Sequence, residues 1–164
     1  MCSKKLEASR KSVRSEVDFV LTFEEIGAMF EAKGIDFASL KPDEADPFTQ
    51  ASSDGRGFAV SGGVAKAVVN CIKAKEPERE VLVESAEGLA NCKKMLKLAK
   101  SGKYDGYLLE GMACPGGCVA GAGTLLPITR ATTAVKKYTN SSDKLNANDS
   151  KYKDYLERLI EEYK

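Results

Sequence analysis

Predicted strands and helices alternate along the middle of this chain, and the alternation constrains the fold more than any other feature. Residues 79–86 (REVLVESA) predict one strand, and residues 104–114 (YDGYLLEGMAC) predict a second. Between them, residues 87–102 have the apolar spacing of an amphipathic helix that ends at a glycine. A strand–helix–strand order of this length is typical of parallel strands joined by a crossover helix. The sequence therefore predicts an α/β fold, a parallel β-sheet flanked by helices.

Other segments extend this prediction towards both ends of the chain. Residues 17–23 (VDFVLTF) predict a further strand, and Thr22 with Glu25 has the spacing of a capping box that begins a helix ending at Gly34. The remaining predicted elements are a loop over 40–57, a helix from the Ser-Gly-Gly turn at 61–63 to Glu76, a helix around 128–139, a polar linker over 139–150 and a last helix over 151–163. We expect one domain over residues 1–140, followed by a C-terminal linker and helix over 141–164.

The segment MACPGGCVAGAG, residues 112–123, is the strongest candidate for a functional site. It places two cysteines, Cys114 and Cys118, among a proline and several glycines, a composition that suits neither a helix nor a core strand. It begins where the predicted strand YLLEG ends. Ligands of open α/β sheets lie beyond the carboxyl ends of their strands, so this position favours a binding site.

Composition and charge exclude several classes of function. The chain has 25 basic and 24 acidic side chains, hence a net charge of +1, and no basic stripe that would bind nucleic acid. No apolar run approaches the ~20 residues of a membrane span, and the N-terminal residues do not resemble a secretory signal. We therefore expect neither a nucleic acid nor a membrane among its partners.

Histidine is absent, which removes the commonest general base and every histidine-containing zinc site. The five cysteines are an odd number in a chain without a secretory signal, so we expect a reducing, cytoplasmic location rather than a disulfide framework. Any bound metal must therefore be held mainly by sulfur. Cys71 and Cys92 fall on the apolar stripes of predicted helices, where a free thiol packs as a small apolar side chain.

Several interpretations of the Cys114–Cys118 pair are open on the residues alone. They are a glycine-rich turn with incidental thiols, a zinc site, a redox disulfide, a phosphate-binding loop and an iron–sulfur ligand pair. Zinc needs four ligands, a redox pair prefers two intervening residues, and a phosphate loop needs a Lys-Ser/Thr that is absent here. Iron–sulfur ligation fits best, although two thiolates alone do not hold a cubane cluster.

The segment EGMACPGGCVAGAG (110–123) resembles the last cysteine signature of the iron-only ([FeFe]) hydrogenase large subunit, in the C-terminal lobe of its catalytic domain. Two further stretches agree in order and spacing. GFAVSGGVAKAVV (57–69) is similar to the family's Phe-x-x-Thr-Gly-Gly-Val segment, and DFVLTFEEIGAMFEAKGIDF (18–37) to the strand and helix before it. CSKKLEASR (2–10) resembles the end of the middle signature, Pro-Cys-x-x-Lys-Lys-x-Glu. The resemblance covers most of residues 1–140.

This resemblance implies a cofactor and a set of site residues. The family's H-cluster joins a [4Fe-4S] cubane, through one thiolate, to a two-iron subcluster that carries CO and cyanide. By resemblance, Cys114 is a cubane ligand and Cys118 the bridging thiolate. Met112 and Phe58 are expected to line the two-iron pocket, and Lys4 to donate to an iron-bound cyanide.

Departures from the family's signatures qualify these assignments. Only Ser3 separates Cys2 from Lys4, where the family has two residues, so Cys2 is either a cubane ligand with a shortened spacer or a residue outside the ligand set. The segment after Cys118, GAGTL, replaces the Gly-Gly-Gly-Gln-Pro of well-studied members and indicates a divergent branch, sensory or slow. The first cysteine signature, which contains the proton-relaying cysteine, is absent.

The resemblance implies an oxidoreductase that interconverts protons and electrons with hydrogen when the polypeptide is complete. We expect this chain to be a fragment of such an enzyme, inactive in isolation and without bound clusters. Its expected partners are the missing N-terminal part of the same polypeptide and an electron carrier such as ferredoxin. The alternative functions are a non-catalytic iron–sulfur sensor and a metal-free interaction module.

Overall fold

A computed structural model describes residues 2–10, 12, 16–41, 51–150 and 152–162, with the backbone alone at residues 2, 3 and 155–157. The elements follow one another as helices, two strands and short 3₁₀ turns. In chain order they are α1 (Cys2–Ser9), α2 (Phe23–Ala32), α3 (Ser53–Arg56), a 3₁₀ turn (Gly57–Ala59), α4 (Gly63–Lys75), β1 (Val83–Glu87), α5 (Leu89–Lys100), β2 (Leu108–Met112), a 3₁₀ turn (Cys118–Ala120), α6 (Ile128–Asn140), a 3₁₀ turn (Ala147–Asp149) and α7 (Lys153–Glu162).

The sheet consists, in the described residues, of β1 and β2. The strands are parallel and pair from Val83 with Leu108 to Glu87 with Met112. Helix α5 connects them, which is the crossover that the alternation predicts. The predicted α/β class, a parallel sheet flanked by helices, is therefore confirmed, with a small sheet.

Residues 17–22 join neither strand, so the prediction of a strand there is wrong for the described part of the chain. The segment has no regular secondary structure before α2, and Phe19 is 81% exposed. Apolar, β-branched composition favours a strand only where a neighbouring strand offers backbone hydrogen bonds and a surface to pack on. Here β1 and β2 pair with each other, and neither of them pairs with residues 17–22.

Helix α2 begins at the predicted capping box. The N–H of Glu25 donates to Oγ1 of Thr22 at 3.2 Å, and the N–H of Thr22 donates to Oε2 of Glu25 at 2.7 Å. The other carboxylate oxygen of Glu25 accepts from Nζ of Lys5 at 2.5 Å. One carboxylate therefore closes the first turn of α2 and links it to α1. Gly34, with φ of +65°, follows the end of the helix as predicted.

The pKa of Glu25 provides a test of this link. The hydrogen bond from Lys5, followed by that from the N–H of Thr22, holds the pKa of Glu25 below its usual value of about 4.3. The stabilisation is thus present above the unfolded-state pKa and is lost as the pH falls through the folded-state pKa. In NMR titrations we expect Lys5→Ala to raise the pKa of Glu25, and Lys4→Ala, the matched control, to leave it unchanged. Equal effects of the two substitutions would contradict the link.

The polar linker packs against α3. The N–H groups of Ser53 and Asp54 donate to the carbonyl oxygens of Lys144 and Leu145, at 2.7 and 2.9 Å. The Asp54 side chain is buried, and both its oxygens accept from Nδ2 of Asn70 on α4, at 2.9 and 3.0 Å. These contacts hold the segment before the 57–59 turn against α4.

The division of the chain into a domain over residues 1–140 and a C-terminal segment over 141–164 stays a prediction.

Among the described residues, none of the helices combines the length and the apolar character needed to cross a bilayer.

Candidate functional site

An open cavity of about 520 Å³ lies at the carboxyl end of β2. One wall is the segment that leaves this strand, residues 112–114, 117–118 and 121–124. The opposite wall is residues 21–23 with Ile26 of α2, and Lys4 of α1 completes the lining. Segments that are far apart in the sequence therefore meet at the strand end where the sequence predicts a site.

Four of the six predicted site residues line this cavity. They are Lys4, Met112, Cys114 and Cys118. The side chain of Cys2 lies outside what the structure describes. Phe58, on the 3₁₀ turn Gly57–Ala59, is 47% exposed and is not among the lining residues. The structure thus does not place Phe58 against the cavity, and its role beside a cofactor stays a prediction.

The loop that carries the two thiols is held by its own backbone. The N–H of Gly117 donates to the carbonyl of Cys114 at 2.9 Å, and the N–H of Gly121 donates to the carbonyl of Cys118 at 3.0 Å. Gly116 and Gly117 have φ of +92° and +94°, in the region that favours glycine. The loop leaves Cys114 half-buried and Cys118 exposed.

A second loop supports the first. The N–H of Ser61 donates to the carbonyl of Gly116 at 3.1 Å. A Cβ on Gly117 would lie 2.5 Å from the nitrogen of Ser61, so only glycine allows this approach. The loops at 56–63 and 111–118 are therefore in direct contact.

Among the described residues that line the cavity, one side chain is charged, that of Lys4. Most of the other lining side chains are apolar, Leu21, Phe23, Ile26 and Met112 among them. Such a setting suits an anionic ligand, because the ammonium of Lys4 can offset its negative charge and donate hydrogen bonds to it.

The donor chemistry fits part of an iron–sulfur ligand set. Thiolates are the usual ligands of iron–sulfur clusters, and Cys114 and Cys118 both line the cavity. In the described part of the chain, no group of three or more Cys, His, Asp or Glu residues is placed to hold a metal ion. A cubane is held by four cysteines, so these two thiols fit as one side of such a set.

The other two described thiols lie elsewhere. Cys71, on α4, is half-buried. Cys92, on α5, is also half-buried, and its Sγ lies 3.4 Å from the carbonyl oxygen of Ala86 and 3.6 Å from that of Met112. Neither lines the cavity. Both placements agree with the interpretation of these cysteines as packing residues.

Thiol reactivity under native conditions follows from this placement. We expect iodoacetamide to modify Cys118 first, because it is the exposed one of the four described thiols, and Cys92 last, because its sulfur is held between the two strands. Peptide mass spectrometry over a time course measures the order. Equal rates at all four would mean that the loop is not open.

Sequence reasoning missed one residue, Glu110 in the middle of β2. It is 7% exposed, and its carboxylate accepts from the N–H of Gly62 at 2.5 Å and from that of Ala65 at 3.0 Å. The signal in the sequence is a single acidic residue inside the apolar run YLLEG. A charge at such a position is rarely buried unless it has a partner.

Comparisons with known proteins find one family that matches most of this chain. Residues 2–122 match the family described as iron only hydrogenase large subunit, C-terminal domain. The periplasmic [Fe] hydrogenase large subunit of Nitratidesulfovibrio vulgaris is 30% identical over 152 aligned positions, which cover 74% of this chain and 36% of that protein. Cytosolic iron-sulfur assembly component 3 of Bos taurus is 27% identical over 158 positions, covering 74% and 33%. The chain thus spans about a third of the length of these curated relatives.

Solved structures support the fold. An [FeFe]-hydrogenase structure superposes with a TM-score of 0.59 at 20% identity, over 98% of this chain and 56% of the other. An [FeFe]-hydrogenase of Chlamydomonas reinhardtii superposes with a TM-score of 0.55 at 22% identity, over 90% and 51%. Because the family match extends over most of the chain and includes both cysteines of the cavity, this chain belongs to the family formed by the C-terminal domains of iron-only hydrogenase large subunits.

Proposed function

We propose that this chain forms one side of the cofactor site of an iron-only hydrogenase, which in its complete form interconverts protons and electrons with hydrogen. The observation that carries the proposal is the cavity at the end of β2, where two thiols and one ammonium meet between apolar walls. Family membership supplies the hydrogenase context.

The proposed roles follow from what each side chain offers. Cys114 would hold a [4Fe-4S] cubane with its thiolate, and Cys118 would supply a further thiolate to the iron cofactor. The cofactor, when bound, supplies the redox chemistry of iron. The chain's own residues hold it in place and exclude water, and Cys2 is a candidate for a further thiolate.

Lys4 and Met112 complete the proposed site. The ammonium of Lys4 offsets negative charge and donates hydrogen bonds to anionic ligands such as cyanide. Met112 is half-buried and provides a polarisable apolar wall. Phe58, on the neighbouring loop, is proposed to approach the site only in the complete protein.

The remaining parts of the proposal concern the complete protein. We expect this chain to bind further segments of the same polypeptide and to exchange electrons with a carrier such as ferredoxin in the cytoplasm. Residues 1–140 are proposed as the C-terminal lobe of the catalytic domain, and residues 141–164 as a C-terminal linker and helix.

A second candidate function is a non-catalytic role for an iron–sulfur protein. Cytosolic iron-sulfur assembly component 3 of Bos taurus is nearly as similar in sequence to this chain as the periplasmic hydrogenase is. The absence of Phe58 from the described lining residues also fits this function, because one of the walls expected for a two-iron subcluster is not formed by the described residues. In this case the cubane thiolates are kept and the two-iron subcluster is absent.

Infrared spectroscopy of the complete protein, matured with the accessory enzymes and kept anaerobic, separates the two functions. The hydrogenase function predicts CO and cyanide stretching bands together with hydrogen evolution from reduced viologen. Iron–sulfur absorption without these bands would contradict it and support the second candidate. Lys4→Ala should shift the cyanide bands. Lys5→Ala, at the neighbouring position, is the matched control and should leave the bands unchanged, because Lys5 is bound to Glu25.

A further inference from the structure

Glu110 is a buried carboxylate to which the proposed chemistry assigns no role. It is 7% exposed, in the middle of β2, and lies outside the cavity lining. Burying a carboxylate costs free energy unless hydrogen bonds replace its water. Here the N–H groups of Gly62 and Ala65, at 2.5 and 3.0 Å, supply that replacement. Glu110 thus binds the first turn of α4 to β2.

Glu110 binds the turn at residues 60–63. This turn contacts the loop that carries Cys114 and Cys118, called the cysteine loop below. Gly62 has φ of +84° and ψ of −11°, and the N–H of Gly63 donates to the carbonyl of Val60 at 3.0 Å. These are features of a type II turn with Ser61 at its second position. The N–H of Ser61 then donates to the carbonyl of Gly116, between the two thiols, at 3.1 Å.

These contacts close a ring. From Glu110 the chain runs through Met112 and Cys114 to Gly116. From Gly116 hydrogen bonds return through Ser61 and the adjoining Gly62 to the Glu110 carboxylate. The cysteine loop is therefore attached to β2 in two ways. It continues covalently from the end of the strand, and it is hydrogen-bonded to the turn at 60–63, which in turn is bound by Glu110 of β2.

We propose that Glu110 is a positioning residue that sets the geometry of Cys114 and Cys118 through the Ser61–Gly116 hydrogen bond. This inference rests on the proposed function for the use of that geometry, but the mechanical coupling is independent of any metal. Residues that orient metal ligands through hydrogen bonds change the metal affinity although they do not contact the metal.

The test compares Glu110→Gln with Asp54→Asn in the full 164-residue chain. Glutamine has nearly the same shape as glutamate, but only its carbonyl oxygen accepts hydrogen bonds. Its NH₂ group is a donor, so one of the two backbone N–H groups that bind Glu110 loses its acceptor. Asp54 is an equally buried carboxylate, and it binds the side chain of Asn70, two turns into α4, rather than the turn at 60–63. Circular dichroism and urea unfolding record the loss of stability in each variant.

Two measurements report on the loop itself. We expect Glu110→Gln to raise the iodoacetamide labelling rate of half-buried Cys114 by about tenfold, with Cys71 and Cys92 unchanged. We expect the affinity for cobalt(II), used as the probe metal, to fall by about 10-fold to 100-fold. Asp54→Asn should change neither quantity.

A second variant covers the case in which Glu110→Gln does not fold. Ser61→Pro removes the N–H that donates to Gly116 and places a ring carbon against that carbonyl oxygen, so it separates the two loops at this point. Proline suits this position of a type II turn, and Val60, with φ of −104° and ψ of 142°, suits the position before it. The bonds of Glu110 to Gly62 and Ala65 are retained. We expect an increase in the labelling rate of Cys114 that is at least as large, and no further increase when Glu110→Gln is added to Ser61→Pro.

Several outcomes would overturn the inference. These are unchanged labelling of Cys114 in folded Glu110→Gln, equal acceleration at all four described cysteines, which indicates global destabilisation alone, or unchanged labelling in Ser61→Pro. Failure of the unsubstituted chain to bind cobalt would count against the proposed function instead. The labelling rates would still decide the role of Glu110.

Discussion

Replacing Gly117 by alanine is expected to destabilise the fold by more than about 3 kcal/mol. Gly117 has φ of +94° and ψ of −159°, a region that is almost exclusive to glycine. A Cβ there would lie 2.5 Å from the nitrogen of Ser61 and 2.8 Å from the carbonyl oxygen of Ala59. Both are backbone atoms, so the loops must separate to admit it.

Gly27 supplies the matched control for this substitution. It lies in the middle of α2, and a Cβ added there would meet nothing within 4 Å. Gly27→Ala should therefore stabilise the chain by about 0.5–1 kcal/mol, because alanine is the better helix former. Urea unfolding measures both variants. A Gly117→Ala chain within about 0.5 kcal/mol of the original would show that the two loops are not in tight contact.

The second large effect is expected at the thiols. With Cys114→Ser and Cys118→Ser combined, we expect hydrogen evolution by the complete, matured protein to fall by more than about 100-fold, since loss of residues that merely orient metal ligands already costs about 10-fold to 100-fold. Serine is nearly isosteric with cysteine but is a poor ligand for iron–sulfur clusters.

Cys71→Ser controls for the loss of a half-buried thiol outside the cavity. It should retain the iron content, the visible iron–sulfur absorption and the activity of the unsubstituted protein. If the combined variant kept its iron and its absorption, Cys114 and Cys118 would not be ligands.

The elements with local signals were predictable from the sequence. The capping box at Thr22, the glycine after α5 at Gly102 and the apolar residues at 81–83 and 107–109, which lead into β1 and β2, are each local features of the sequence. The structure agrees with each of them, because their determinants lie within a few positions.

The contacts between distant segments were not predictable in the same way. Residues 17–22 have the composition of a strand, yet strand formation depends on a partner that composition does not specify. Phe58 was assigned by motif resemblance, whereas its exposure depends on the turn at 57–59. Glu110 was visible as an acidic residue in an apolar run, but its partners at Gly62 and Ala65 follow only from the packing of α4 on β2.

The most direct test of the central claim is anomalous X-ray diffraction at the iron edge, on crystals of the complete protein grown without oxygen. Our account predicts iron density in the cavity at the end of β2, within bonding distance of the Sγ atoms of both Cys114 and Cys118. Iron bound elsewhere in the molecule, with both thiols free, would contradict it.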